Sequence, residues 1–350
     1  MEPASNNIKI SCRNVWKVYG ENPDQFFSGK NGDVSDSEDL SQKVKASGHI
    51  GAACNVSFDV HQGEIFIIMG LSGSGKSTMV RCLSRLIEPT AGEVLLDGVD
   101  LLKISDADLI EFRRHKMGMV FQNFGLLPHL TVLENICFPL KVQGIDLLKR
   151  EARAREIINL VGLEGREDSF PRQLSGGQQQ RVGIARSLAV EPEVWFLDEP
   201  FSALDPLIRR QMQDEFLRLQ KMLHKTIVFI THDFLEALRL ADRIAIMKDG
   251  VVVQIGTPAQ LVLNPADAYV AEFTQDVPRV RIITAGEIID GNKSSDGLSL
   301  RIEASATLEK VMPLFADHPE GLIVERDGVE VGVITPQVVV NALAASLDAD

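Results

Sequence analysis

A glycine-rich segment, GLSGSGKS at residues 70–77, has the composition and spacing of a phosphate-binding loop. It fits the pattern G-x-x-x-x-G-K-[ST], follows the apolar run EIFIIM directly, and leads into a predicted helix at 77–86. Successive backbone N–H groups can surround phosphate oxygens, and a helix N-terminus adds positive potential. We expect Lys76 to reach the β- and γ-phosphates of a nucleotide and Ser77 to hold Mg²⁺. The predicted nucleotide-binding residues of this loop are Gly70, Ser72, Gly73, Ser74, Gly75, Lys76, Ser77 and Thr78.

Two adjacent carboxylates end a second apolar run, VWFLDEP at 194–200. We expect Asp198 to hold Mg²⁺ through water, and Glu199 to orient and deprotonate an attacking water. His232 follows a third apolar run, in FITHD, and by itself is more typical of a structural histidine. Gln122, in MVFQNF, carries no signal alone. At this point a kinase, a GTPase and an ATPase all remain possible.

The elements that must position these residues alternate between short apolar runs and helical patterns. A helix over 207–223 is indicated by an apolar stripe that includes Met212, Phe216 and Leu219. The stretch 105–173 is predicted to be helical, and Asp97–Gly98 indicates a hairpin. Short apolar runs separated by helices predict an α/β fold with a largely parallel central sheet. The predicted strands are 8–15, 56–60, 64–69, 93–96, 194–197 and 227–230.

The chain has 350 residues and a net charge of −13, which allows about two domains and argues against nucleic acid and anionic lipid as direct partners. Its four cysteines form no CxxC pair, so neither a zinc site nor a redox motif is indicated. The N-terminus lacks the features of a signal peptide, and no segment has the pattern of a membrane span. These features predict a soluble intracellular protein.

The acidic residues are concentrated in two segments. Residues 276–350 contain 13 acidic and 6 basic residues, and residues 21–50 contain 6 acidic and 3 basic residues. The segment 21–50 is predicted to be a surface insertion with a short helix near 37–44. The chain therefore divides into a main domain, 1–275, which carries this insertion, and an acidic tail domain, 276–350.

The deciding motif is LSGGQQQR at 174–181. Together with the phosphate loop, Gln122, the LDE triplet and His232, in this order, it resembles the ATP-binding cassette (ABC) ATPase family over about residues 8–275. The resemblance implies a P-loop NTPase fold, with a RecA-like core, an antiparallel β-subdomain and a helical subdomain at about 105–175. It also implies ATP as the nucleotide and Mg²⁺ as the metal.

The resemblance assigns a role to each matching position. Glu199, His232, Gln122 and Lys76 act in catalysis; His232 contacts the γ-phosphate, and Gln122 senses Mg²⁺ and water. Ser77, Gln122 and Asp198 form the metal site. Tyr19 stacks on adenine, with Phe26 and Phe27 as alternatives because the insertion separates Tyr19 from the phosphate loop. The residues Ser175, Gly176, Gly177 and Gln178 bind the γ-phosphate held by the other protomer of a head-to-tail homodimer, and Asp205 lies in the loop that crosses its interface.

The chain has one cassette and no sustained heptads, so a transport subunit is favoured over a soluble ABC protein of translation or DNA repair. The absence of a fused membrane domain favours an importer. FSALDPLIRRQMQDE, RIAIMKDGVVVQIGTP and the insertion after Tyr19 resemble ATPases of quaternary-amine importers, those for choline, glycine betaine and proline betaine. Importers of amino acids, polyamines or sugars remain the alternative. The resemblance implies a membrane permease and an extracytoplasmic binding protein as partners. It places the subunit at the cytoplasmic face of the inner membrane through that permease.

The tail from about residue 280 has its own pattern. Strands are expected at RVRIIT, SLRIEA, LIVER and VEVGVI, with the last two forming a hairpin about Asp327 and Gly328. A short helix is expected at AGEIID, and longer helices at TLEKVMPLFAD and PQVVVNALAASL. This order resembles a single CBS module, an α+β unit, which we expect to regulate transport, with a response to ionic strength as one possibility. A dimer-stabilising appendage is the alternative.

Overall fold

The computed structural model describes residues 7–27, 37–122, 124–275, 277–290 and 293–344. It divides into two compact units, one that ends at Val253 and one that begins at Gln254. Within the described residues, every helix is too short or too polar to cross a membrane.

Strands and α-helices alternate through most of the first unit. The strands are β1 (Ile8–Tyr19), β2 (Ile50–His61), β3 (Ile65–Met69), β4 (Ala91–Leu96), β5 (Val99–Asp100), β6 (Met117–Val120), β7 (Val194–Asp198), β8 (Thr226–Thr231), β9 (Arg243–Lys248), β10 (Val251–Gly256), β11 (Arg301–Glu303), β12 (Leu322–Arg326) and β13 (Val329–Ile334). The α-helices are α1 (Ser37–Ala46), α2 (Lys76–Leu83), α3 (Asp106–His115), α4 (Val132–Val142), α5 (Leu147–Leu160), α6 (Gly176–Leu188), α7 (Pro206–Leu223), α8 (Phe234–Leu240), α9 (Pro258–Leu263), α10 (Ala268–Thr274), α11 (Leu308–Val311) and α12 (Pro336–Ala344).

The central sheet has six strands in the order β10-β9-β3-β8-β7-β6, and its inner pairs are parallel, as predicted. Every residue of β3, β7 and β8 is buried, because helices cover both faces of a parallel sheet. Met69 is registered opposite Thr231, and Asp198 opposite Ile230. The residues that follow these three strands therefore emerge at one edge of the sheet.

A second, antiparallel sheet has the order β2-β1-β4-β5. The predicted hairpin at Asp97 and Gly98 is present, with φ values of 51° and 77°, as a two-residue turn with both residues left-handed requires. Beneath this sheet, α1 of the insertion contributes Val44 to a small apolar cluster with Trp16, Val18 and Cys54. The insertion therefore packs on the sheet through a hydrophobic contact.

The predicted helical stretch at 105–173 is wrong in one respect, because it contains β6, an edge strand of the central sheet. Four residues are too few to show a strand period, so the sequence pattern could not separate β6 from its helical neighbours. Gly118 of β6 also permits a close approach, since a Cβ there would lie 2.8 Å from the ring of Pro192.

The second unit contains α9, α10 and the described part of the acidic tail. Its β11 pairs parallel to β12, which pairs antiparallel to β13, so the predicted hairpin about Asp327 and Gly328 is confirmed. The apolar core of this unit consists of Ile283, Ala285, Ile288, Ala304, Leu308, Val311, Leu322, Val324, Ile334 and Val339, with Leu263 of α9 packed against it.

Two predicted elements of the tail are wrong. RVRIIT forms a 3₁₀ turn at Arg279–Arg281 instead of a strand, because Val280 and Ile283 are three residues apart and contact the same core. The predicted helix TLEKVMPLFAD is only the short α11, followed by a 3₁₀ segment at Met312–Ala316. Pro313 lies at the start of that segment and lacks the N–H that a continuing α-helix needs.

Candidate functional site

The phosphate loop connects the buried strand β3 to helix α2, as its motif requires. Gly70, Gly73 and Gly75 have φ values of 154°, 83° and 99°. A Cβ on Gly70 would lie 2.2 Å from the carbonyl oxygen of Met247, and one on Gly75 would lie 2.0 Å from that of Ala52. Glycine is therefore required at Gly70 and Gly75 by backbone contact, and all three glycines suit positive φ.

Lys76 is the first residue of α2 and is only 5% exposed. Its ammonium donates hydrogen bonds to the carbonyl oxygens of Gly70 and Leu71, at 2.7 and 2.9 Å, so the side chain folds back along the loop. Burial lowers the pKa of the Lys76 ammonium, while the carboxylates of Glu199 and Asp198 act in the opposite direction. The ammonium is thus held where phosphate groups that enter the loop would meet it.

Ser77 and Asp198 meet although they lie on different elements. The Ser77 hydroxyl donates a hydrogen bond of 3.1 Å to Oδ1 of Asp198, which ends β7 and is 3% exposed. Arg81 lies 3.5 Å from the other carboxylate oxygen. Arg81 was missed by the sequence reasoning. Its position one turn after Ser77 on the same face of α2 is the signal that could have revealed it.

This pair was tested as a Mg²⁺ site by its donor chemistry. A hydroxyl and a carboxylate are oxygen ligands, which Mg²⁺ prefers, and this ion is usually bound by one or two carboxylates together with substrate phosphates and water. Within the described residues there is no group of three or more His, Cys, Asp or Glu side chains that could hold a metal alone. The residues present fit an ion whose remaining ligands come from nucleotide and water.

Glu199, Gln122 and His232 converge at the same edge of the sheet. Glu199 follows β7 with a φ of 45°, and its N–H donates to the carbonyl oxygen of Ile230 at 3.1 Å. Its Oε2 lies 3.0 Å from His232 Nδ1 and accepts a 3.4 Å hydrogen bond from Gln122 Nε2. Asp198 and Glu199 therefore contact different partners, one the phosphate-loop helix and the other two polar side chains.

The signature residues form a separate group. Ser175 caps α6: its hydroxyl accepts from the N–H of Gln178 at 3.3 Å, and the Gln178 side chain accepts from the N–H of Ser175 at 3.0 Å. A Cβ on Gly177 would lie 2.7 Å from Ile208, so this helix start packs closely against α7. Asp205 caps α7 through a 3.1 Å bond from the N–H of Ile208. Signature and Asp205 residues thus lie side by side.

The aromatic side chains near the insertion separate into two kinds. Phe27 packs edge-on against Trp16 with ring centroids 5.7 Å apart, and Phe26 does the same against His49 at 4.9 Å. Tyr19, at the end of β1, is 41% exposed, with the Lys17 ammonium 5.1 Å from its ring centroid. Both phenylalanines are used by the small cluster under the sheet, so Tyr19 is the residue with a free ring face. It also lies opposite Ile50, close to the Ala52 carbonyl that approaches Gly75.

An open groove of about 580 Å³ lies beside the segment that follows Gln122. Its walls come from α3, β6, α4 and α6, and its exposed apolar side chains are Ile110, Phe121, Phe138 and Val142. Arg186, also in the wall, donates to the carbonyl oxygens of Gly125 and Phe124 at 2.5 and 3.2 Å. The groove is therefore apolar, is open to solvent, and is tied by Arg186 to the backbone just after Gln122.

Comparison with known proteins adds three findings. Residues 53–202 match the family model described as ABC transporter. The chain is 56% identical to the trimethylamine N-oxide transport system ATP-binding protein TmoW of Ruegeria pomeroyi, over 94% of this chain and 95% of that protein. It is 46% identical to the glycine betaine/proline betaine transport system ATP-binding protein ProV of Escherichia coli, over 94% of this chain and 81% of that protein.

A solved structure also resembles this chain. It is the ATP-binding cassette MJ0796, solved as a dimer in a post-hydrolysis state bound to ADP and Pi. The two share 36% identity with a TM-score of 0.59, over 71% of this chain and 98% of the other.

Proposed function

Since the chain belongs to the ATP-binding cassette (ABC) transporter ATPases, we propose that it is the ATP-hydrolysing subunit that powers an importer of small solutes with a quaternary or methylated nitrogen. The observation that carries this proposal is the convergence, at one sheet edge, of a phosphate loop and a carboxylate that contacts both a glutamine and a histidine. The loop supplies a site for the phosphates of ATP, and the carboxylate supplies a base for water.

Glu199 is the proposed general base. Its Oε2 accepts the proton of the water that attacks the γ-phosphate, and His232, 3.0 Å away, holds that carboxylate and contacts the γ-phosphate. Gln122 reaches the same oxygen and responds to the water and the metal. Ser77 and Asp198 would hold Mg²⁺, which when bound neutralises charge that develops on the phosphates. Lys76 stabilises the same charge through its ammonium.

The proposed working unit is a head-to-tail homodimer. Ser175, Gly176 and Gly177 present N–H groups at the start of α6, an arrangement that suits an anion. They group with Asp205 on one chain and would complete the nucleotide site of the partner chain, with Tyr19 against adenine. The dimeric state of the similar MJ0796 cassette supports this arrangement.

The membrane partner is proposed to be a permease that seats an apolar segment in the groove beside Gln122. Four exposed apolar side chains line this groove, and exposed apolar patches of this kind mark interaction sites. Such docking would place the subunit at the cytoplasmic face of the inner membrane. A separate extracytoplasmic binding protein would select the solute.

The solute is proposed from the relatives. The name of one relative specifies trimethylamine N-oxide and that of another glycine betaine and proline betaine, and a further relative at 48% identity is a choline transport ATP-binding protein of Bacillus subtilis. These solutes share a fully substituted, methylated nitrogen. The higher identity to the first relative makes trimethylamine N-oxide the solute to test first.

The acidic tail, 276–350, is proposed to be a single CBS-like regulatory module. From residue 301 its elements follow the order β-α-β-β-α, with β12 between β11 and β13 in the sheet. A response to ionic strength is physically reasonable, because exposed charges are screened within about 10 Å at 0.1 M salt. Deletion of 276–350 that leaves the salt dependence of uptake unchanged would remove this role.

The test of hydrolysis is Glu199→Gln in the full chain. We expect ATP turnover to fall by about 10²–10⁴-fold, the usual contribution of a general base, while ATP binding is retained and the dimer is trapped. Glu164→Gln is the matched control, because Glu164 is exposed and makes no hydrogen bond or ion pair within the described part of the chain. Near-normal hydrolysis by Glu199→Gln would exclude Glu199 as the base.

The test of the solute is ATPase activity of the transporter reconstituted with its permease and binding protein. Stimulation by trimethylamine N-oxide, glycine betaine or choline is expected. Stimulation by a sugar or a polyamine alone would contradict the proposed solute class and leave the ATPase assignment intact.

A further inference from the structure

Arg209 occupies an unusual position between two loops of the site. It lies on α7, one turn after Asp205, and its side chain is 30% exposed. Its guanidinium donates to the carbonyl oxygens of Phe201, Ser202 and Leu204 at 3.2, 3.4 and 3.2 Å. A fourth hydrogen bond, of 3.4 Å, reaches Oδ2 of Asp233. One side chain therefore binds three carbonyls of one turn and a carboxylate of another loop.

The turn that Arg209 binds joins Glu199 to Asp205. Within it, the N–H and the hydroxyl of Ser202 both donate to the carbonyl oxygen of Glu199, at 3.2 and 2.9 Å. Phe201 is fully buried against Phe216 and Phe229. The backbone of Glu199 is thus fixed through Ser202, whose own carbonyl is held by Arg209.

The carboxylate that Arg209 binds adjoins His232. Asp233 caps α8, since its Oδ1 accepts from the N–H of Glu236 at 3.1 Å, and its own N–H donates to the hydroxyl of Thr231. The remaining oxygen, Oδ2, is the one that accepts from Arg209. Two routes from Arg209 therefore end at the Glu199–His232 contact, one through the turn and one through Asp233.

From this geometry we propose that Arg209 is a positioning residue for ATP hydrolysis, which fixes Glu199, His232 and the Asp205 loop relative to one another. The inference rests on the proposed role of Glu199. Arginine suits this position because its planar guanidinium has five donors in a fixed geometry, whereas a lysine ammonium could not span three carbonyls and a carboxylate. Arg209 reaches the chemistry through other groups, so its loss should change the rate and spare ATP affinity.

The experiment compares Arg209→Gln, Arg209→Lys and Arg210→Gln in the full chain. Arg210 is the matched control, because it is exposed on the same helix and makes no hydrogen bond or ion pair among the residues that the structure describes. Turnover is expressed per ATP-binding site, counted by equilibrium binding of ATP, so that misfolded protein does not contribute. We expect Arg209→Gln to lower kcat by about tenfold to hundredfold, with the Kd for ATP changed less than twofold, since misplacement by about 1 Å can cost that much.

Two further variants separate positioning from folding. Asp233→Asn keeps the helix cap, since Asn and Asp are about equally good caps, but removes the ionic partner of Arg209. We expect Asp233→Asn to lower kcat, the double variant Arg209→Gln/Asp233→Asn to lose less than the product of the two single losses, and Arg209→Lys to recover only part of the rate.

Three results would overturn the proposal. They are an unchanged kcat in Arg209→Gln, a loss that vanishes once turnover is expressed per binding site, or full rescue by Arg209→Lys. A wild-type chain that hydrolyses no ATP would instead refute the proposed function, so the two failures are distinguishable.

Discussion

The substitution Gly75→Ala tests the claim that close backbone contact holds the phosphate loop in place. Gly75 has a φ of 99°, and a Cβ there would lie 2.0 Å from the carbonyl oxygen of Ala52. Gly73, in the same loop, has a φ of 83° but would place its Cβ in open space among the described residues. The two alanine variants therefore share the backbone strain and differ in the steric contact.

The magnitude follows from these two terms. An alanine in the left-handed region costs about 1–2 kcal/mol. The same change recovers about 0.4–1 kcal/mol by restricting the unfolded chain. Gly73→Ala should therefore lower the free energy of unfolding by roughly 1 kcal/mol. In Gly75→Ala the backbone must also move by about 1 Å to clear the oxygen, and overpacking of this kind adds about 1–3 kcal/mol.

The assay is urea unfolding of the nucleotide-free chain followed by tryptophan fluorescence. Both tryptophans, Trp16 and Trp195, are buried in the first unit, so the signal reports the unit that contains the loop. We expect Gly75→Ala to be less stable than Gly73→Ala by about 1–3 kcal/mol. Equal losses in the two variants would show that the contact with Ala52 does not hold the loop, and would refute the reasoning.

Two other expectations come from the same structure. Tyr19→Ala should raise the KM for ATP and leave the urea midpoint unchanged, whereas Phe27→Ala should lower the midpoint because Phe27 packs on Trp16; a KM effect confined to Phe27→Ala would exchange their roles. Burial raises the pKa of the Asp242 carboxyl above its usual 3.8, so its contribution to stability is present below that pH and is lost as pH rises through the raised value. Asp242→Asn should therefore gain stability relative to wild type between about pH 4 and pH 8, and a difference in Tm that is independent of pH would contradict this.

Local chemistry explains why much of the site was visible in the sequence. A phosphate loop needs glycines, a lysine and a hydroxyl at fixed spacing, because its backbone wraps a phosphate within eight residues. The Asp-Gly hairpins at Asp97 and Asp327 are also local, since positive φ at both central residues selects these types. The burial of β3, β7 and β8 was predictable from their unbroken apolar runs.

Short elements were less visible because they carry too few residues to show a period. β6 has four residues, and its neighbours on both sides are helices. In the tail, Pro313 ended a helix that the apolar pattern extended, and a 3₁₀ turn replaced a strand of similar composition. In each case a single proline or a tertiary contact outweighed the local pattern.

The sequence by itself determined which residues of this protein have the chemistry for ATP: the phosphate loop, the acid pair, Gln122 and His232. The tertiary structure alone decided how they meet. The order β10-β9-β3-β8-β7-β6 brings Ser77 to Asp198 and Gln122 to Glu199, leaves Tyr19 exposed while Phe26 and Phe27 pack inward, and places Arg209 between two loops. Spacing along the chain cannot supply these contacts, because they depend on which strands become neighbours, and many weak packing interactions across the whole unit determine that choice.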